Sequence, residues 1–186
     1  MTCFGLDAGT RSFGEADHLA HVLVDRLRLP AQAVVCTHLV RLPDSHVALS
    51  LWVPPGFDGL WNELTRFAEH GTAGAASGTG RSGRPELAAA AADAAIEHLS
   101  RKGGRAVVYP GSRQLTGTVR VGEMLARSAI ARVHVTGGRP PADEDLLDTG
   151  DHVRPEWLDG ELVLTVKQVH NGRFVPYDVS YQADHA

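Results

Sequence analysis

The first 70 residues alternate between helical and strand patterns of apolar side chains, and this alternation restricts the possible folds more than any other feature. Apolar residues recur at helical spacing over residues 13–28 and again over residues 57–69. Between them, residues 32–41 and 46–53 show the every-second-residue pattern of two strands around a Leu-Pro-Asp-Ser turn. Residues 1–70 are therefore predicted to form an α-β-hairpin-α unit.

The ends of the first helix and the register of the hairpin also follow from the sequence. Ser12 and Glu15 have the spacing of a capping box, in which both side chains satisfy free amides of the first helical turn. A four-residue turn pairs Arg41 with His46 and places one set of alternate residues on a single core-facing side of the hairpin. That set is Val34, Cys36, His38, Val40, Val47, Leu49, Leu51 and Val53.

Residues 71–84 are predicted to be a flexible linker or loop, because they consist almost entirely of Gly, Ala, Ser and Thr. Residues 78–83 have the Gly-x-Gly-x-x-Gly spacing of a dinucleotide-binding loop, but that function needs a preceding strand, and a helix is predicted there. We predict no tightly held cofactor.

Residues 85–186 are predicted to form a strand-rich α+β portion. A helix spans residues 85–102, strands follow at 105–109, 117–121 and 130–136, and a short helix lies at 123–128. Asp159-Gly160 and Asn171-Gly172 are strong hairpin signals and predict a C-terminal three-stranded meander, with Val166 opposite Tyr177 and Leu164 opposite Val179. The predicted class is α+β with a mostly antiparallel sheet, and the two portions pack separately or as one domain.

Charge is sharply partitioned within the second half of the chain. Residues 101–141 carry eight basic side chains and one acid, whereas residues 142–161 carry eight acids and one base, Arg154. Such asymmetry indicates either an anion site or two segments that neutralise each other. The sequence does not decide whether the acidic segment, residues 142–161, is a lid, a metal-binding loop or solvated surface.

The overall composition narrows the class of protein. The net charge of −4 argues against general binding of nucleic acid, because attraction to phosphate dominates that affinity. No apolar run approaches the roughly 20 residues that span a bilayer, and no secretory signal precedes residue 14. Two cysteines do not make a disulfide framework. The excess of arginine over lysine is typical of a GC-rich bacterial genome, and we predict a cytoplasmic bacterial protein.

Several side chains could ligate a metal or act as a nucleophile. His18, His21 and Asp25 lie on one face of the first predicted helix and form a possible metal site, although no metal is predicted. Cys36 and His38 point the same way from one strand and form a possible nucleophile pair.

The preferred functional site combines residues from two predicted strands. Alternation places Thr118 and Arg120 on one side of the first strand, and Arg132, His134 and Thr136 on one side of the second. If these strands are neighbours, the two arginines can grip a carboxylate or phosphate, with Arg113 added from the preceding loop.

The leading functional prediction is a binding or accessory protein that recognises a small anionic metabolite at this site. One alternative is a small cofactor-free enzyme that acts on a phosphorylated or carboxylated substrate, with His134 as the acid or base. The other is a homodimeric protein-interaction module whose surfaces have complementary charge.

Overall fold

A computed structural model of the chain describes residues 2–41, 44–57 and 59–177. These residues contain four α-helices and one twelve-stranded, mostly antiparallel sheet, which confirms the predicted α+β class. The helices are α1 (Phe13–Arg26), α2 (Leu60–His70), α3 (Pro85–Ser100) and α4 (Val121–Arg127). The strands are β1 (Thr2–Thr10), β2 (Val34–Val40), β3 (His46–Val53), β4 (Gly74–Ser77), β5 (Gly80–Gly83), β6 (Arg105–Val108), β7 (Thr118–Arg120), β8 (Arg132–Val135), β9 (Leu146–Asp148), β10 (Glu156–Leu158), β11 (Glu161–Gln168) and β12 (Phe174–Pro176).

The strands follow the order β5-β4-β1-β3-β2-β6-β10-β11-β12-β9-β7, and β8 pairs with β11. The pairs β8–β11 and β9–β12 are parallel, and the other pairs are antiparallel. No helix of the described residues combines the length and the apolar character needed to cross a bilayer.

The start of α1 follows the predicted cap. The hydroxyl of Ser12 accepts a hydrogen bond from the Glu15 amide, and the Glu15 carboxylate accepts one from the Arg11 amide at 2.8 Å. These bonds satisfy amides that a helix start otherwise leaves without a partner. The helix ends two residues earlier than predicted, where Arg28 has a left-handed φ of 49°.

An N-terminal strand, β1, was not predicted from the sequence. It lies between β3 and β4, so the first unit begins with a strand ahead of α1. Gly5, Asp7 and Gly9 give this segment the composition of a loop, and such residues are depleted in most strands. Tertiary packing overrides that preference, because the segment is flanked by strands on both sides.

The predicted register of the first hairpin is wrong by one residue. His46 pairs with Val40 instead of Arg41, so the connection is one residue longer than the predicted turn. Val34, Cys36 and His38 therefore lie on the opposite side of the sheet from Val47, Leu49 and Leu51. Both sides of this hairpin are covered by helices, so apolar alternation alone could not distinguish the two registers.

The predicted linker contains two strands, β4 and β5, which form a hairpin at the edge of the sheet. Its small residues serve close packing and not flexibility. A Cβ atom on Gly74 would lie 2.1 Å from the backbone nitrogen of Ala88 in α3, so only glycine allows this approach. The literal dinucleotide-loop spacing at residues 78–83 thus falls on a hairpin turn and its second strand.

The helices cover the two sides of the sheet differently. Large side chains of α1 and α2, including Leu23 and Leu64, pack with Leu6, Leu49 and Leu51 in one core. On the other side, α3 lies directly on β1, where a Cβ atom on Gly5 would be 1.8 Å from the carbonyl oxygen of Ala91. A second core lies under the C-terminal strands and includes Met124, Leu162 and Phe174.

The C-terminal meander forms as β10, β11 and β12. Asp159 and Gly160 both have positive φ, at 49° and 90°, and they connect β10 to β11 as the predicted two-residue turn. The next turn is wider than predicted, because Val166 pairs with Pro176 instead of Tyr177. Val179, the predicted partner of Leu164, lies outside the described residues.

Candidate functional site

An open cleft between α1 and α2 is the first candidate site, and we name it the α1–α2 cleft. Its walls are apolar, with Leu23 and Leu27 on α1 and Leu64 and Phe67 on α2, and its volume is about 500 Å³. The helices are amphipathic, and their apolar sides turn toward the sheet. The large side chains that fill the core below also hold the two helices apart above it.

A second cavity of about 420 Å³ adjoins the cleft and shares Arg26, Leu27 and Glu63 with it. It extends the apolar lining to Leu29 and Phe57. Both volumes fall within the range of about 300–1,000 Å³ that is usual for small-molecule sites. The two cavities together can accommodate an elongated ligand.

The mouth of the α1–α2 cleft is basic. Arg26, Arg66 and His70 line one cavity, and Arg28 lines the other. Arg66 forms an ion pair with Glu63 and is thereby neutralised. Arg26 makes no side-chain hydrogen bond or ion pair with any other described residue, so its guanidinium is available to a ligand.

Polar side chains are buried on the other side of the sheet, between β2, β3 and α3. Ser50 lies 2.7 Å from His38 Nε2 and 2.7 Å from His98 Nδ1, and His38 Nδ1 lies 2.6 Å from a Glu97 oxygen. The Cys36 sulfur is 4.0 Å from His98 Nε2. The possible Cys36–His38 pair is not formed, because Cys36 contacts His98 whereas His38 contacts Ser50 and Glu97.

A buried ionic cluster connects α1 to the C-terminal strands. Arg105 donates to both carboxylate oxygens of Asp17, at 2.6 and 3.2 Å, and Arg154 donates to the same carboxylate at 2.9 Å. The side chain of Arg105 is only 2% exposed. His152 lies 3.0 Å from Arg105, so this cluster is already filled by side chains and offers no evident space for a ligand.

The predicted anion site is not assembled by neighbouring strands. Thr118 and Arg120 lie on β7, which pairs with β9, whereas Arg132 and His134 lie on β8, which pairs with β11. Strands β9, β12 and β11 separate β7 from β8 in the order of pairing. The predicted alternation within each strand is present, but the assumed pairing of the two strands is wrong.

The predicted site residues are exposed, and two of the arginines already have carboxylate partners. Arg132 donates to Glu161 at 2.9 Å, and Arg113 donates to Asp25 at 3.0 Å. Arg139 forms two hydrogen bonds with Asp145, so the acidic segment neutralises part of the basic one. His134 and Thr136 lie at the solvent-facing side of β8 and just beyond its end. A ligand role for these residues stays a prediction.

The possible metal site of His18, His21 and Asp25 does not form. His18 and His21 are exposed on α1, and Asp25 binds Arg113. Burial and the nearby Arg154 lower the pKa of His21. Among residues 2–41, 44–57 and 59–177, no three His, Cys, Asp or Glu side chains come together in a way that could hold a metal ion.

Neither the α1–α2 cleft nor the hydrogen-bonded set of Ser50, His38, His98 and Glu97 was predicted, although each leaves a pattern in the sequence. Arg26 and His70 are basic residues in the last turns of two amphipathic helices, and Arg66 lies one turn before His70. Ser50, by contrast, is a polar residue in an otherwise apolar strand. Neither pattern shows which residues meet in space. Ser50 and His98, for example, are in contact although they are 48 residues apart in the sequence.

The chain matches no protein-family model, no curated protein sequence and no solved structure. A functional assignment therefore depends on the geometry of its own residues.

Proposed function

We propose that this protein binds a small organic anion with an apolar body in the α1–α2 cleft. The observation that carries the proposal is the Arg26 guanidinium, which has no partner among the described residues and stands at the mouth of an apolar-walled cavity. This retains the predicted class of function, binding of a small anion, and moves the preferred site from the strands to a cleft lined by residues of the N-terminal part of the chain.

The charge at the cleft favours an anion. With Arg66 neutralised by Glu63, the cations that remain at the mouth are Arg26 and Arg28. A guanidinium can hold a carboxylate or phosphate through two parallel hydrogen bonds, which gives both strength and orientation. The Nδ1 atom of His70 donates to the Arg66 carbonyl at 2.8 Å, which leaves Nε2 for a ligand.

The walls of the cleft favour an apolar body behind the charged group. Leu23, Leu27, Leu64 and Phe67 supply a lining that gains free energy when apolar ligand surface leaves water. A compact, fully polar metabolite would leave this lining uncovered. A medium-chain carboxylate or alkyl phosphate fits both features.

The test is binding of octanoate and octyl phosphate to the purified protein, measured by calorimetry and by the shift in melting temperature. We expect saturable binding of both anions, with no binding of 1-octanol or octylammonium at the same concentration. The Arg26→Gln variant should bind octanoate about tenfold to a hundredfold more weakly, since a hydrogen bond to a charged group contributes about 1.5–3 kcal/mol. Arg11→Gln is the matched control, because it removes an exposed arginine that lines neither the cleft nor the predicted strand site.

Two further variants separate this site from the one predicted on the strands. Arg120→Ala and Arg132→Ala should leave octanoate binding unchanged. If these substitutions abolish binding while Arg26→Gln does not, the anion binds at the strand site and the cleft is rejected. Failure of every anion to bind would reject anion binding at both places.

The finer predictions on location and assembly belong with this proposal. A cytoplasmic bacterial binding protein remains our expectation. The net charge of −4 argues against a nucleic-acid partner. A homodimer is also a prediction, and the molecular mass in solution over a range of concentrations decides it.

A further inference from the structure

On the α3 side of the sheet, the hydrogen-bonded side chains of Ser50, His38 and Glu97 have the arrangement of a nucleophile, a base and an orienting acid. The Ser50 hydroxyl lies 2.7 Å from Nε2 of His38, and Nδ1 of the same ring lies 2.6 Å from a Glu97 carboxylate oxygen. Strand β3 supplies the serine, β2 the histidine and α3 the glutamate. Short contacts on both ring nitrogens fix the orientation of the imidazole.

The directions of these hydrogen bonds follow from the chemistry of the groups. The hydrogen bond from His38 lowers the pKa of Glu97, so this carboxylate is ionised near neutral pH and can only accept. In neutral His38, Nδ1 therefore carries the proton, and Nε2 accepts one from the Ser50 hydroxyl. That tautomer is the one in which His38 can act as a base toward Ser50.

His98 completes the arrangement from the other side of Ser50. Burial lowers the pKa of His98 to about 3, so its ring is neutral in ordinary buffers. Because the Ser50 hydroxyl donates to His38, His98 Nδ1 donates to the Ser50 oxygen at 2.7 Å and holds the hydroxyl toward His38. His98 is therefore a positioning residue. Burial raises the pKa of the neighbouring Cys36 thiol, which keeps that sulfur protonated and unreactive.

A groove between β2 and α3 leads to the outer end of this chain. It has a volume of about 690 Å³, and its lining includes His38, Glu97, Ala90, Asp93 and Ala94. The Glu97 side chain is 49% exposed in the groove, whereas Ser50 is fully buried behind His38. A small reagent can therefore reach Ser50 only when side chains at the inner end of the groove move aside locally while α3 keeps Glu97 and His98 in place.

We propose that Ser50 is a nucleophile that attacks small activated esters entering through the β2–α3 groove, with His38 as its base and Glu97 as the orienting carboxylate. The Ser50 oxygen forms a bond to the ester carbonyl carbon while its proton moves to His38 Nε2. The bond to the alcohol part of the ester breaks, and the alcohol leaves with the bonding electron pair, taking the proton from His38 if it is basic. Water then attacks the acyl group, which regenerates Ser50 and releases the carboxylic acid.

The experiment uses p-nitrophenyl acetate and the full chain, with release of p-nitrophenolate followed by absorbance and the acetylated residue located by peptide mass spectrometry. We expect a burst of p-nitrophenolate and an acetyl group on Ser50. The octanoate ester of the same phenol should react at least tenfold more slowly, because a larger acyl group needs a wider opening. Ser50→Ala should remove the burst.

Two substitutions in the groove distinguish chemistry from packing. Glu97→Gln should slow acetylation of Ser50 about a hundredfold, the lower end of what general-base catalysis contributes, and Glu97→Asp should restore part of the rate. Glu123→Gln, which removes an exposed carboxylate on α4 outside the groove, should have no effect. Acetylation confined to lysines or to other serines would overturn the proposal, as would equal rates for wild type and Glu97→Gln.

The result is independent of the α1–α2 cleft, because the two sites lie on opposite sides of the sheet. Acetylation in urea provides the reference for the unfolded chain. If Ser50 reacts in the folded protein no faster than an exposed serine reacts in urea, Ser50 is an ordinary hydroxyl and the assignment fails.

Discussion

The part of the sheet that contains β1, β2 and β3 is covered by helices on both sides, but the helices pack differently on each side. On one side, α1 and α2 meet the sheet through large aliphatic side chains such as Leu23, Leu49 and Leu64. On the other side, α3 meets it through Gly5, Gly74 and a row of alanines. The first arrangement leaves an open cleft above the core, and the second brings the backbone of α3 directly against β1 and β4.

The difference teaches how residue size decides what kind of site a helix–sheet interface can contain. Large residues keep the helix axes apart, so space remains where two helices diverge. Small residues bring backbones into contact, so polar side chains from the helix and the sheet come within hydrogen-bond distance. The first effect leaves the α1–α2 cleft. The second brings Ser50, His38, His98 and Glu97 into hydrogen-bond contact on the α3 side.

The largest expected effect tests the ionic contact that fixes α1. Asp17→Asn removes the carboxylate that binds Arg105 and Arg154, and it leaves two guanidinium groups in a largely buried place. Breaking a buried ion pair by removing one partner costs about 3–5 kcal/mol. We expect the free energy of unfolding to fall by about that amount, measured by urea denaturation.

A second aspartate on the same helix is the control for this measurement. Asp25 also binds an arginine, but its side chain is 73% exposed and that of Arg113 is 75% exposed. Exposed pairs contribute about 0–1 kcal/mol, so Asp25→Asn should be nearly neutral. Equal losses for the two variants would show that burial of the cluster is not what gives Asp17 its importance.

The next effect tests the close approach of α3. Gly5→Ala places a methyl group against the Ala91 carbonyl, which is backbone and cannot rotate away. Overpacking costs about 1–3 kcal/mol, and the direct clash with backbone places this variant at the upper end. We expect that loss in urea denaturation, together with slower reaction of Ser50 only if α3 shifts along the sheet.

Gly14→Ala provides the matched glycine substitution on the other side. Gly14 is an exposed residue of α1, and the nearest atom to its added Cβ would be the Ser12 hydroxyl oxygen at 3.9 Å. Alanine is favoured over glycine within helices by about 1 kcal/mol, so this variant should be more stable than wild type. A loss of stability would contradict the contrast between the two interfaces.

The smallest expected effect is a change of stability with pH, and it comes from the contact of His46 on β3 with Asp7 on β1. His46 Nε2 lies 2.7 Å from the buried Asp7 carboxylate, and Nδ1 lies 2.7 Å from the Asp44 carbonyl. Burial alone would lower the pKa of His46, but these two acceptors outweigh it and raise the pKa above the ordinary value of 6.5. When the ring is protonated, both of its nitrogens donate to these acceptors.

A raised folded-state pKa means that protonated His46 stabilises the fold. The contribution is fully present below the unfolded pKa and disappears as the pH rises through the folded pKa. The stability difference between wild type and His46→Ala should therefore be greater at pH 5.5 than at pH 9, by on the order of 1 kcal/mol. A difference that is constant over this range would remove the charged contact from the account.

Much of the fold could be predicted from local patterns. The Ser12 cap, the apolar periodicity of the three long helices and the Asp159-Gly160 turn each depend on residues close in sequence, and all are present. Strand β1 and the pair β4–β5 could not be recognised, because Gly and Ala there serve contact with α3. The register of β2 and β3 failed for a related reason, since helices bury both sides of the hairpin.

The sites were less predictable than the fold because they depend on distances between elements. Arg120 and Arg132 were predicted to converge, yet their strands are separated by three others in the sheet. His38 was identified as a candidate, but its partners Ser50 and Glu97 are 12 and 59 residues away. A basic residue such as Arg26 becomes informative only when the apolar walls beside it are known.

The contact between Asp17 and Arg154 also determines how late in synthesis the fold can be completed. These residues are 137 positions apart, so their bond can form only after residue 154 has left the ribosome. Until then, α1 has a carboxylate waiting for one of its two cationic partners. Long-range closure of this kind is slow, and refolding should show α1 becoming protected from hydrogen exchange later than its strong cap alone would suggest.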